Sequence, residues 1–470
     1  MAHSWANTLY DLLPYSAQNL VVSLVGSYKK RSRLNSEFRD HLARLEQTQW
    51  MSDEETNLFW RTALLDLVKP ATRDAPAYRG ITFDEGGSWE QILASFPVTN
   101  KSNVRAEPRK YRSVRYRRSD IVCQHTSGTT GSPLEVWLTP SAHRMEYAFI
   151  WQYRSWFGIK PGDRIATVAG HKVVPIRHKH PPFSRLNRAE NQLFLSSYHM
   201  SRENLASYIR DLARFNPVMI HGYPSSIYLL AARLADGGVP PVRPKVILTS
   251  SETLLGFQQE LIEKQFQCSV RGWYGNAERS ANIAQCPEGS YHLRPEYGIV
   301  EFIGDDGEAA PTGSPGRLVT TGLFNPAMPF IRYDTGDLAV PEAGRCRCGR
   351  AGRLASRIDG RIEDYVVTTD GRLIGRLDHV FKGLEGVREA RLVQEKIGAI
   401  RAEIVPSEQF TVAVEAKIVN AIHSYLGDES SISVARVDCM PRGPEGKFRF
   451  VISEPGSTLL SRWTTQGQPS

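Results

Sequence analysis

The sequence predicts an α/β protein whose large first domain is followed by a small α+β domain. Two patterns predict this architecture. Between Ile121 and Ile358, short runs rich in β-branched residues alternate with longer helical patterns. Beyond Gly360 the pattern changes to short strands around one amphipathic helix. The chain of 470 residues also exceeds the length of one ordinary domain. We therefore predict two domains, residues 1–360 and 361–470.

Composition narrows the class of protein. The chain is 41% hydrophobic and 23% charged, which is ordinary for a globular protein and excludes disordered, collagen-like and coiled-coil classes. A net charge of +8 mildly favours anionic partners. We find no uncharged apolar run long enough to span a membrane, and the start Met1-Ala2-His3 lacks the basic region of a secretory signal. We expect a cytoplasmic protein.

Residues 1–90 are predicted to form a helical entry to the first domain. Apolar residues recur there at three-to-four spacing, as in an amphipathic helix. The run from Leu20 to Arg31 is apolar and ends in positive charge, so it could also lie on a membrane surface. Of these alternatives we favour an ordinary packed helix, and peripheral membrane contact is the less expected one.

Strands and helices of the central segment follow from local pattern. Strands are predicted at the β-branched runs that begin at Val246, Val300 and Leu318. Helices are predicted over residues 202–215 and 257–266. In the small domain we expect strands over residues 390–393, 400–405 and 431–437. An amphipathic helix that carries Ile418 and Ile422 and is ended by Gly427 should lie before the last strand.

A loop rich in Thr, Ser and Gly lies between Ile121-Val122 and a probable strand over residues 135–138. Glycines let several backbone N–H groups converge on one point, and the hydroxyls add donors, so such a loop suits a polyphosphate. No Lys follows its second Gly, which argues against the phosphate loop of kinases and GTPases. A surface turn of similar composition is the alternative. The loop residues are Thr126, Ser127, Gly128, Thr129, Thr130 and Gly131.

Further motifs follow this loop in a fixed order. With it, they resemble the core motifs of the adenylate-forming superfamily, which includes acyl-CoA synthetases, luciferases and adenylation domains. The resemblance is strongest to the phenylacetate-CoA ligase branch, including its capsule-biosynthesis (CapK) type, and spans roughly residues 90–450. The motifs are Phe96-Pro-Val-Thr-Asn-Lys101, Gly222-Tyr-Pro-Ser-Ser226, Ser250-Ser-Glu-Thr-Leu254, Tyr274-Gly-Asn-Ala-Glu278, Tyr333-Asp-Thr-Gly-Asp337, Gly360-Arg-Ile-Glu-Asp364 and Pro441-Arg-Gly-Pro-Glu-Gly-Lys447.

The resemblance implies an ATP-dependent ligase and gives roles to single residues. The loop 126–131 would hold the β- and γ-phosphates, and Glu278 would place Mg²⁺. Tyr274 and Gly275 would line the adenine and acyl pockets, and Asp337 would accept hydrogen bonds from the ribose hydroxyls. The remaining implied nucleotide contacts are Ser251, Glu252 and Arg361.

The resemblance also implies that the small domain moves between two reaction steps. Lys447 would be the catalytic cation, because an ammonium group on a mobile loop can reach the α-phosphate and the attacking carboxylate together. Glu363 occupies the hinge position about which the small domain turns.

The function expected from these features is carboxylate activation as acyl-AMP, followed by acyl transfer to CoA. One departure leaves a second acceptor open. After the hinge, residues 368–375 resemble the CapK type rather than the Gly-rich loop of the CoA-ligating relatives, so an amine acceptor is the alternative. Ala277 also replaces the usual Thr or Ser before the motif Glu. The acid, the pathway and the oligomeric state are not apparent from the sequence.

Four residues form a candidate zinc site. Cys286 and His292 follow the Glu278 motif, and Cys346 and Cys348 precede the hinge. Three thiolates and one imidazole suit tetrahedral zinc, although this spacing is not that of a standard zinc finger and leaves unrelated thiols as the alternative. Several members of the phenylacetate branch carry a similar set, which favours a structural zinc ion. We expect the other cysteines, Cys123, Cys268 and Cys439, to be buried apolar residues.

The segment from Arg105 to Arg118 holds seven basic residues and two tyrosines. Phosphate contacts and aromatic stacking would suit nucleic acid. A nucleotide, a CoA phosphate or a nucleotide-linked sugar suits the segment equally, and a solvated basic face is the simplest interpretation. We therefore expect no nucleic-acid partner. From another functional class, a non-catalytic nucleotide- or nucleic-acid-binding protein stays an alternative, against which the retention of Glu278, Asp337 and Lys447 argues.

Overall fold

A computed structural model provides the architecture of the chain. It describes residues 9–125, 134–171, 173–175, 178–200, 202–361, 366–369, 373–374, 377–381, 384, 386–426, 429–441 and 449–455. Three sequence-predicted groups lie outside these residues: the loop 126–131, the hinge residue Glu363 and Lys447.

The helices vary from single turns to 22 residues. Short 3₁₀ segments occur at Pro76–Tyr78, Arg118–Asp120 and Leu377–Phe381. The α-helices are α1 (Tyr15–Arg33), α2 (Ser36–Thr48), α3 (Asp53–Asp74), α4 (Trp89–Ala94), α5 (Lys101–Ala106), α6 (Pro108–Tyr111), α7 (Pro140–Ser155), α8 (Arg202–Phe215), α9 (Pro224–Ala235), α10 (Gly256–Phe266) and α11 (Val412–Leu426).

The strands are numbered in chain order. They are β1 (Thr99–Asn100), β2 (Val122–His125), β3 (Glu135–Leu138), β4 (Ile165–Ala169), β5 (Ser184–Asn187), β6 (Gln192–Ser196), β7 (Met219–Gly222), β8 (Val246–Ser250), β9 (Ser269–Gly275), β10 (Asn282–Gln285), β11 (Tyr291–Leu293), β12 (Gly298–Ile303), β13 (Gly316–Gly322), β14 (Tyr333–Glu342), β15 (Leu354–Arg361), β16 (Val366–Val367), β17 (Leu373–Ile374), β18 (Val387–Lys396), β19 (Ala399–Pro406), β20 (Ser431–Arg436) and β21 (Val451–Ser453).

Two compact units divide the chain, and each is built from separate segments. The first holds residues 1–33, 157–272 and 364–455. The second holds residues 34–156, 273–363 and 456–470. Strand β9 begins in the first unit and ends in the second. This division by contacts differs from the boundary at residue 360 predicted from the sequence, which stays a prediction about the domains.

In the first unit, parallel strands pair in the order β8-β7-β4-β6, and β5 joins β6 antiparallel at the end of the series. Parallel strands need crossover connections, which α8 supplies between β6 and β7 and α9 between β7 and β8. The buried faces of these helices and strands form one core that includes Ile209, Ile220 and Ile247. This is the predicted α/β alternation, and the predicted helix over residues 202–215 is confirmed.

The C-terminal part of the first unit has its own sheet, in the order β20-β19-β18-β21. Helix α11 buries Ile418, Ile422 and Leu426 against this sheet, since these residues recur on one helical face. The predicted strands and helix are thus confirmed. Sequence pattern missed β21, whose three residues pair parallel with β18.

In the second unit, strands pair in the order β12-β13-β14-β15-β11-β10-β9, and β1 joins β14 in parallel. Helices α2 and α7 pack together around Phe38, Leu45 and Phe149. Helix α3 buries Trp60 and Leu64 in another cluster. A capping box at Ser52 and Glu55 starts α3, because each side chain bonds the other residue's backbone N–H.

Within the residues that the structure describes, we find no helix long and apolar enough to cross a membrane.

Candidate active site and metal centre

The phosphate-loop candidate connects two paired strands. β2 and β3 form an antiparallel hairpin in which His125 lies opposite Glu135. The predicted strand over residues 135–138 is confirmed. Leu134 and Val136 are buried with Tyr333 in one apolar cluster, so the hairpin is held against β14. Residues 126–131 themselves lie outside the described part of the chain, and their role stays a prediction.

Glu278 lies in the turn that follows β9, and the residue is 7% exposed. The Tyr333 hydroxyl donates a hydrogen bond of 2.9 Å to Glu278 Oε1. Burial and the neighbouring carboxylate raise the pKa of Tyr333 well above its ordinary value, so the phenol stays a donor. Sequence reasoning gave Tyr333 no role, although it begins the motif that ends at Asp337.

The buried Glu278 carboxylate is suited to a cation. Among the residues that the structure describes, no Lys or Arg forms an ion pair with Glu278, and the Tyr333 phenol is its hydrogen-bond partner. A buried carboxylate is costly unless a charge or a metal offsets it. Oxygen ligands of this kind are those that Mg²⁺ prefers. The residues present therefore fit a magnesium ion at Glu278.

Asp337 lies on β14 beside the second tyrosine of the site. The Tyr274 hydroxyl donates a hydrogen bond of 2.7 Å to Asp337 Oδ2. Burial first, and Asp337 next, raise the pKa of Tyr274 well above its ordinary value. The Asp337 N–H donates to the Thr335 hydroxyl at 3.1 Å. This carboxylate is therefore held by contacts on both its side chain and its backbone.

Arg361 is the cross-strand partner of Asp337. The two residues pair in register between β14 and β15. Directly opposite residues in an antiparallel pair have Cα atoms about 4.5–5.5 Å apart. The sequence-predicted ribose and nucleotide contacts are therefore neighbours, although they are 24 residues apart in the chain.

A tight backbone turn supports Asp337. Gly336 adopts a φ of +73°, which side chains rarely tolerate, and its N–H donates to Asp334 Oδ1 at 2.9 Å. Asp334 is itself buried and ion-paired with Arg317. Within the Asp-Thr-Gly-Asp sequence, the Asp334 carboxylate thus fixes the turn. The Asp337 carboxylate then lies beside Tyr274.

Arg279 was missed by sequence reasoning. It follows Glu278 directly and adopts a φ of +58°, a left-handed conformation that is uncommon without glycine. Its guanidinium forms an ion pair of 2.8 Å with buried Glu146 on α7. Burial alone would lower the pKa of Arg279, but Glu146 raises it, so the group stays charged. Tyr297 donates to the other Glu146 oxygen at 2.7 Å.

The same guanidinium reaches the hairpin. Arg279 Nη2 donates to Gln124 Oε1 at 3.3 Å, and Gln124 lies two residues before Thr126. Arg279 therefore connects the turn of Glu278 with the strand that leads into the Thr/Ser/Gly loop. No spacing rule would have found this link, because the three elements meet only in the folded chain.

Ser251 and Glu252 lie in the first unit, after β8. Glu252 Oε2 accepts a hydrogen bond of 3.1 Å from the Ser225 N–H, at the first turn of α9. A carboxylate is stabilised there by the positive end of the helix dipole. Ser251 has a φ of +71°. The two motifs Gly222–Ser226 and Ser250–Leu254 are thus joined, and the nucleotide contacts expected of Ser251 and Glu252 stay predictions.

The four predicted metal ligands lie together. Their ligand atoms are all within 4.8 Å of one another. Cys286 Sγ lies 3.6 Å from Cys346 Sγ, and Cys348 Sγ lies 3.3 Å from His292 Nε2. Tetrahedral zinc with bonds of about 2.3 Å to sulfur and 2.0 Å to nitrogen places two sulfurs about 3.8 Å apart and sulfur and nitrogen about 3.5 Å apart. The arrangement fits that geometry.

Strand pairing assembles this cluster. His292 on β11 pairs with Leu354 on β15, and Cys286 lies at the turn between β10 and β11. Cys346 and Cys348 belong to the connection between β14 and β15. There the Gly349 N–H donates to the Cys346 carbonyl at 3.1 Å. Residues about 60 apart in sequence therefore meet because their strands are neighbours.

The protonation of the ligands follows from their burial. Burial raises the pKa of Cys286 to about 12 and lowers the pKa of His292 to about 4. His292 is therefore neutral, and its Nδ1 faces the Ala351 carbonyl at 3.2 Å. A proton on Nδ1 leaves Nε2 as the ligand atom, which is the usual arrangement of a zinc-binding histidine. A bound cation would also favour the thiolate of Cys286.

The other cysteines correct one expectation. Cys439 is exposed, and Cys123 and Cys268 are half-buried rather than fully buried. Cys268 packs against the core of the first unit, whereas Cys439 lies in the segment that follows β20. The prediction of buried apolar cysteines was therefore wrong for Cys439, and Cys123 and Cys268 are only partly buried.

The basic segment before the hairpin contacts an aromatic residue. The guanidiniums of Arg112 and Arg118 lie over the Trp137 ring, 5.6 and 5.2 Å from its centroid. With Arg109 and Glu135 they line a surface cavity. Both interpretations of this segment, a solvated basic face and an anion site, stay predictions.

The chain is similar in sequence to known proteins. Residues 366–454 match the CapK C-terminal domain family. Protein CapK of Staphylococcus aureus is 24% identical over 457 residues, which cover 95% of this chain and 99% of that protein. A phenylacetate-coenzyme A ligase of Thermus thermophilus is 25% identical over 314 residues, or 64% of this chain and 66% of the ligase.

A solved structure shares the fold. The crystal structure of 2-hydroxyisobutyryl-CoA ligase, in its postadenylation state with R3-HIB-AMP, superposes with a TM-score of 0.71 and 20% identity. The match covers 89% of this chain and 94% of the ligase. At this identity the likeness establishes the fold.

Proposed function

We propose that the chain is an adenylate-forming enzyme of the phenylacetate-CoA ligase-like family that includes the CapK type, and that it activates a carboxylic acid with ATP. In the first step a carboxylate oxygen attacks the α-phosphate of ATP. The bond between the α-phosphorus and the bridging oxygen breaks, and pyrophosphate leaves. In the second step a thiol or amine attacks the acyl carbon of the acyl-AMP, and AMP leaves.

One observation carries this proposal. Two tyrosines each hold a motif carboxylate, the buried Tyr333 at Glu278 and the partly buried Tyr274 at Asp337. Arg361 is the strand partner of Asp337. A fixed carboxylate suits the two hydroxyls of a ribose. A second, buried carboxylate without a basic partner among the described residues suits a magnesium ion beside the phosphates.

The residues divide the work of the first step. Asp337 and Arg361 would hold the ribose and the nucleotide, and Glu278 would ligate Mg²⁺, whose charge stabilises the phosphoryl group in the transition state. The loop 126–131 would bind the β- and γ-phosphates through its N–H and hydroxyl groups. Lys447 would offset the negative charge shared by the α-phosphate and the incoming carboxylate. Glu363 would be the hinge.

We propose CoA as the acceptor of the acyl group. The fold shared with a CoA ligase supports this choice. An amine is the second candidate, since residues 366–454 match the CapK C-terminal domain and the sequence after the hinge resembles that type. Amide formation would serve cell-surface polysaccharide or natural-product assembly.

We also propose a structural zinc ion at Cys286, His292, Cys346 and Cys348. Three thiolates and an imidazole complete a tetrahedron, so no position is left for substrate. The zinc ion would stabilise the turns after β10 and β14, which carry these ligands.

The test of the main proposal is ATP–pyrophosphate exchange by the purified chain with aryl, fatty, amino and sugar acids. Mass spectrometry with CoA and with amines then identifies the acceptor, because a thioester and an amide differ in mass and in stability to hydroxylamine. ATP binding without exchange for any acid would instead favour the non-catalytic nucleotide-binding alternative.

A further inference from the structure

The N-terminal helix α1 (Tyr15–Arg33) has its polar side turned inward. Asn19 Oδ1 accepts a hydrogen bond of 2.9 Å from the Leu186 N–H, and Ser23 Oγ accepts one of 3.1 Å from the Arg188 N–H. Gln18 is buried, and its Oε1 accepts a hydrogen bond of 2.7 Å from Arg185 Nε. These contacts attach α1 to β5 and the residue after it.

The close approach of α1 to β5 depends on a small residue. Gly26 is buried, and a Cβ atom there would lie 2.3 Å from the Asn187 side chain. Polar and small residues thus occupy the side of α1 that faces its own protein. This reverses the ordinary pattern, in which a surface helix turns its apolar stripe toward the core.

The outer side of α1 carries the apolar residues. Leu20, Leu24 and Tyr28 recur at intervals of four and are 60%, 61% and 75% exposed. Val25 is also exposed, as are Leu9, Leu12 and Leu13 in the segment before Pro14. Single exposed leucines are common, but a row of exposed apolar residues along one helical face marks an interaction site.

The charge of α1 indicates the chemistry of the partner. The helix contains four basic residues, all after Tyr28, and no Asp or Glu. They are Lys29, Lys30, Arg31 and Arg33. An apolar row that ends in Lys and Arg is the pattern of a helix lying in the interface of an anionic membrane. Long basic side chains can reach the headgroups while the apolar row enters the acyl boundary.

A second copy of the chain is a poorer occupant of this surface. A symmetric dimer with parallel α1 helices would place two sets of four cations beside one another, where like charges repel. An antiparallel pair would separate the cations but offer them no opposite charge from the partner helix, since α1 has no Asp or Glu. Packing of α1 against its own protein does not explain the exposed apolar row either, because the polar side of the helix already makes those contacts. We therefore propose that the outer surface of α1 docks the protein on an anionic lipid surface.

The test is co-sedimentation with vesicles of phosphatidylcholine alone and of phosphatidylcholine mixed with phosphatidylglycerol. We expect binding to the mixed vesicles that weakens as salt is raised, and little binding to phosphatidylcholine alone. The combined substitution Leu20→Ser, Leu24→Ser and Tyr28→Ser should lower the affinity at least about 10-fold. Leu58→Ser is the matched control, because Leu58 is 65% exposed on α3, whose first turn is acidic.

A second variant separates charge from burial of the apolar row. This variant keeps the apolar row and should remove the preference for phosphatidylglycerol. It combines Lys29→Gln, Lys30→Gln and Arg31→Gln. It also keeps the proposal testable if the triple Ser variant does not fold, as judged by circular dichroism. The proposal is overturned if the wild type binds neither vesicle, if both variants bind like the Leu58 control, or if the apolar row instead mediates a dimer in sedimentation velocity.

Discussion

The Tyr333 hydroxyl lies 2.9 Å from Glu278 Oε1 and orients a buried carboxylate that has no basic partner among the described residues. Because this hydrogen bond holds Oε1, it also fixes the direction of the second carboxylate oxygen, Oε2. In metal sites, such supporting hydrogen bonds fix the ligand and tune its affinity. Tyr333 is therefore expected to act through Glu278 rather than on the substrate.

We expect Tyr333→Phe to raise the Mg²⁺ concentration needed for pyrophosphate exchange by about 10- to 100-fold, because Glu278 loses its fixed orientation. Glu278→Gln should lower the exchange rate by roughly 10²- to 10³-fold even at saturating Mg²⁺. The measurement is exchange rate against Mg²⁺ concentration. An unchanged Mg²⁺ requirement in Tyr333→Phe would show that the tyrosine has no part in orienting Glu278.

Asp337→Asn should raise the KM for ATP more than it lowers kcat, because an amide accepts only through one oxygen where the carboxylate offers two. Tyr274→Phe should have the same direction and a smaller effect, since it removes only the support of Asp337. Initial rates over a range of ATP concentrations give both constants. Asp305→Asn is the control, because Asp305 lies exposed in the turn between β12 and β13. Equal behaviour of Asp337→Asn and this control would contradict the role in ribose binding.

Glu146→Gln should lower the free energy of unfolding by about 3–5 kcal/mol, because it leaves the buried guanidinium of Arg279 without its partner charge. The measurement is denaturation by urea. Glu107→Gln is the control, since its exposed pair with Lys110 is expected to contribute at most about 1 kcal/mol. A loss no larger than that of the control would mean that the Arg279–Glu146 pair is not important for stability.

Zinc removal should destabilise the second unit. We expect protein purified without chelator to contain about one zinc ion per chain, and Cys346→Ser to lower that content strongly, because a tetrahedral site loses a ligand. Trp156 offers an optical signal, since its ring lies 6.3 Å from that of His292. Cys439→Ser is the matched control for thiol loss, as this cysteine is exposed and apart from the cluster. If elemental analysis finds no zinc in the wild-type protein, the proposed zinc site is wrong.

Lys447→Ala should abolish pyrophosphate exchange while leaving acyl transfer from supplied acyl-AMP largely intact. The reason is that the ammonium offsets charge on the α-phosphate only in the first step, and loss of such a charge contact costs roughly 10²- to 10³-fold. The two half-reactions are measured separately. Native exchange by the variant would overturn the assignment, and Lys396→Ala, at the exposed end of β18, serves as the control.

Local pattern was sufficient for much of the fold. The helix over residues 202–215 and the strands of the C-terminal sheet were predicted because their apolar residues recur at the period of one secondary structure. Strand β21 escaped notice because three residues carry too little periodicity. The compact units could not be predicted, since each is composed of segments that are distant in the chain.

The sequence by itself determined the order of the motifs and the alternation of strands and helices, and it led to the roles predicted for Glu278, Asp337 and the four candidate metal ligands. Only the tertiary structure decided that Tyr333 supports Glu278, that Arg279 joins Glu146 to Gln124, and that α1 turns its polar side inward. The physical reason is that residue type and spacing act along the chain. Hydrogen bonds and burial between distant segments depend on which strands and helices become neighbours.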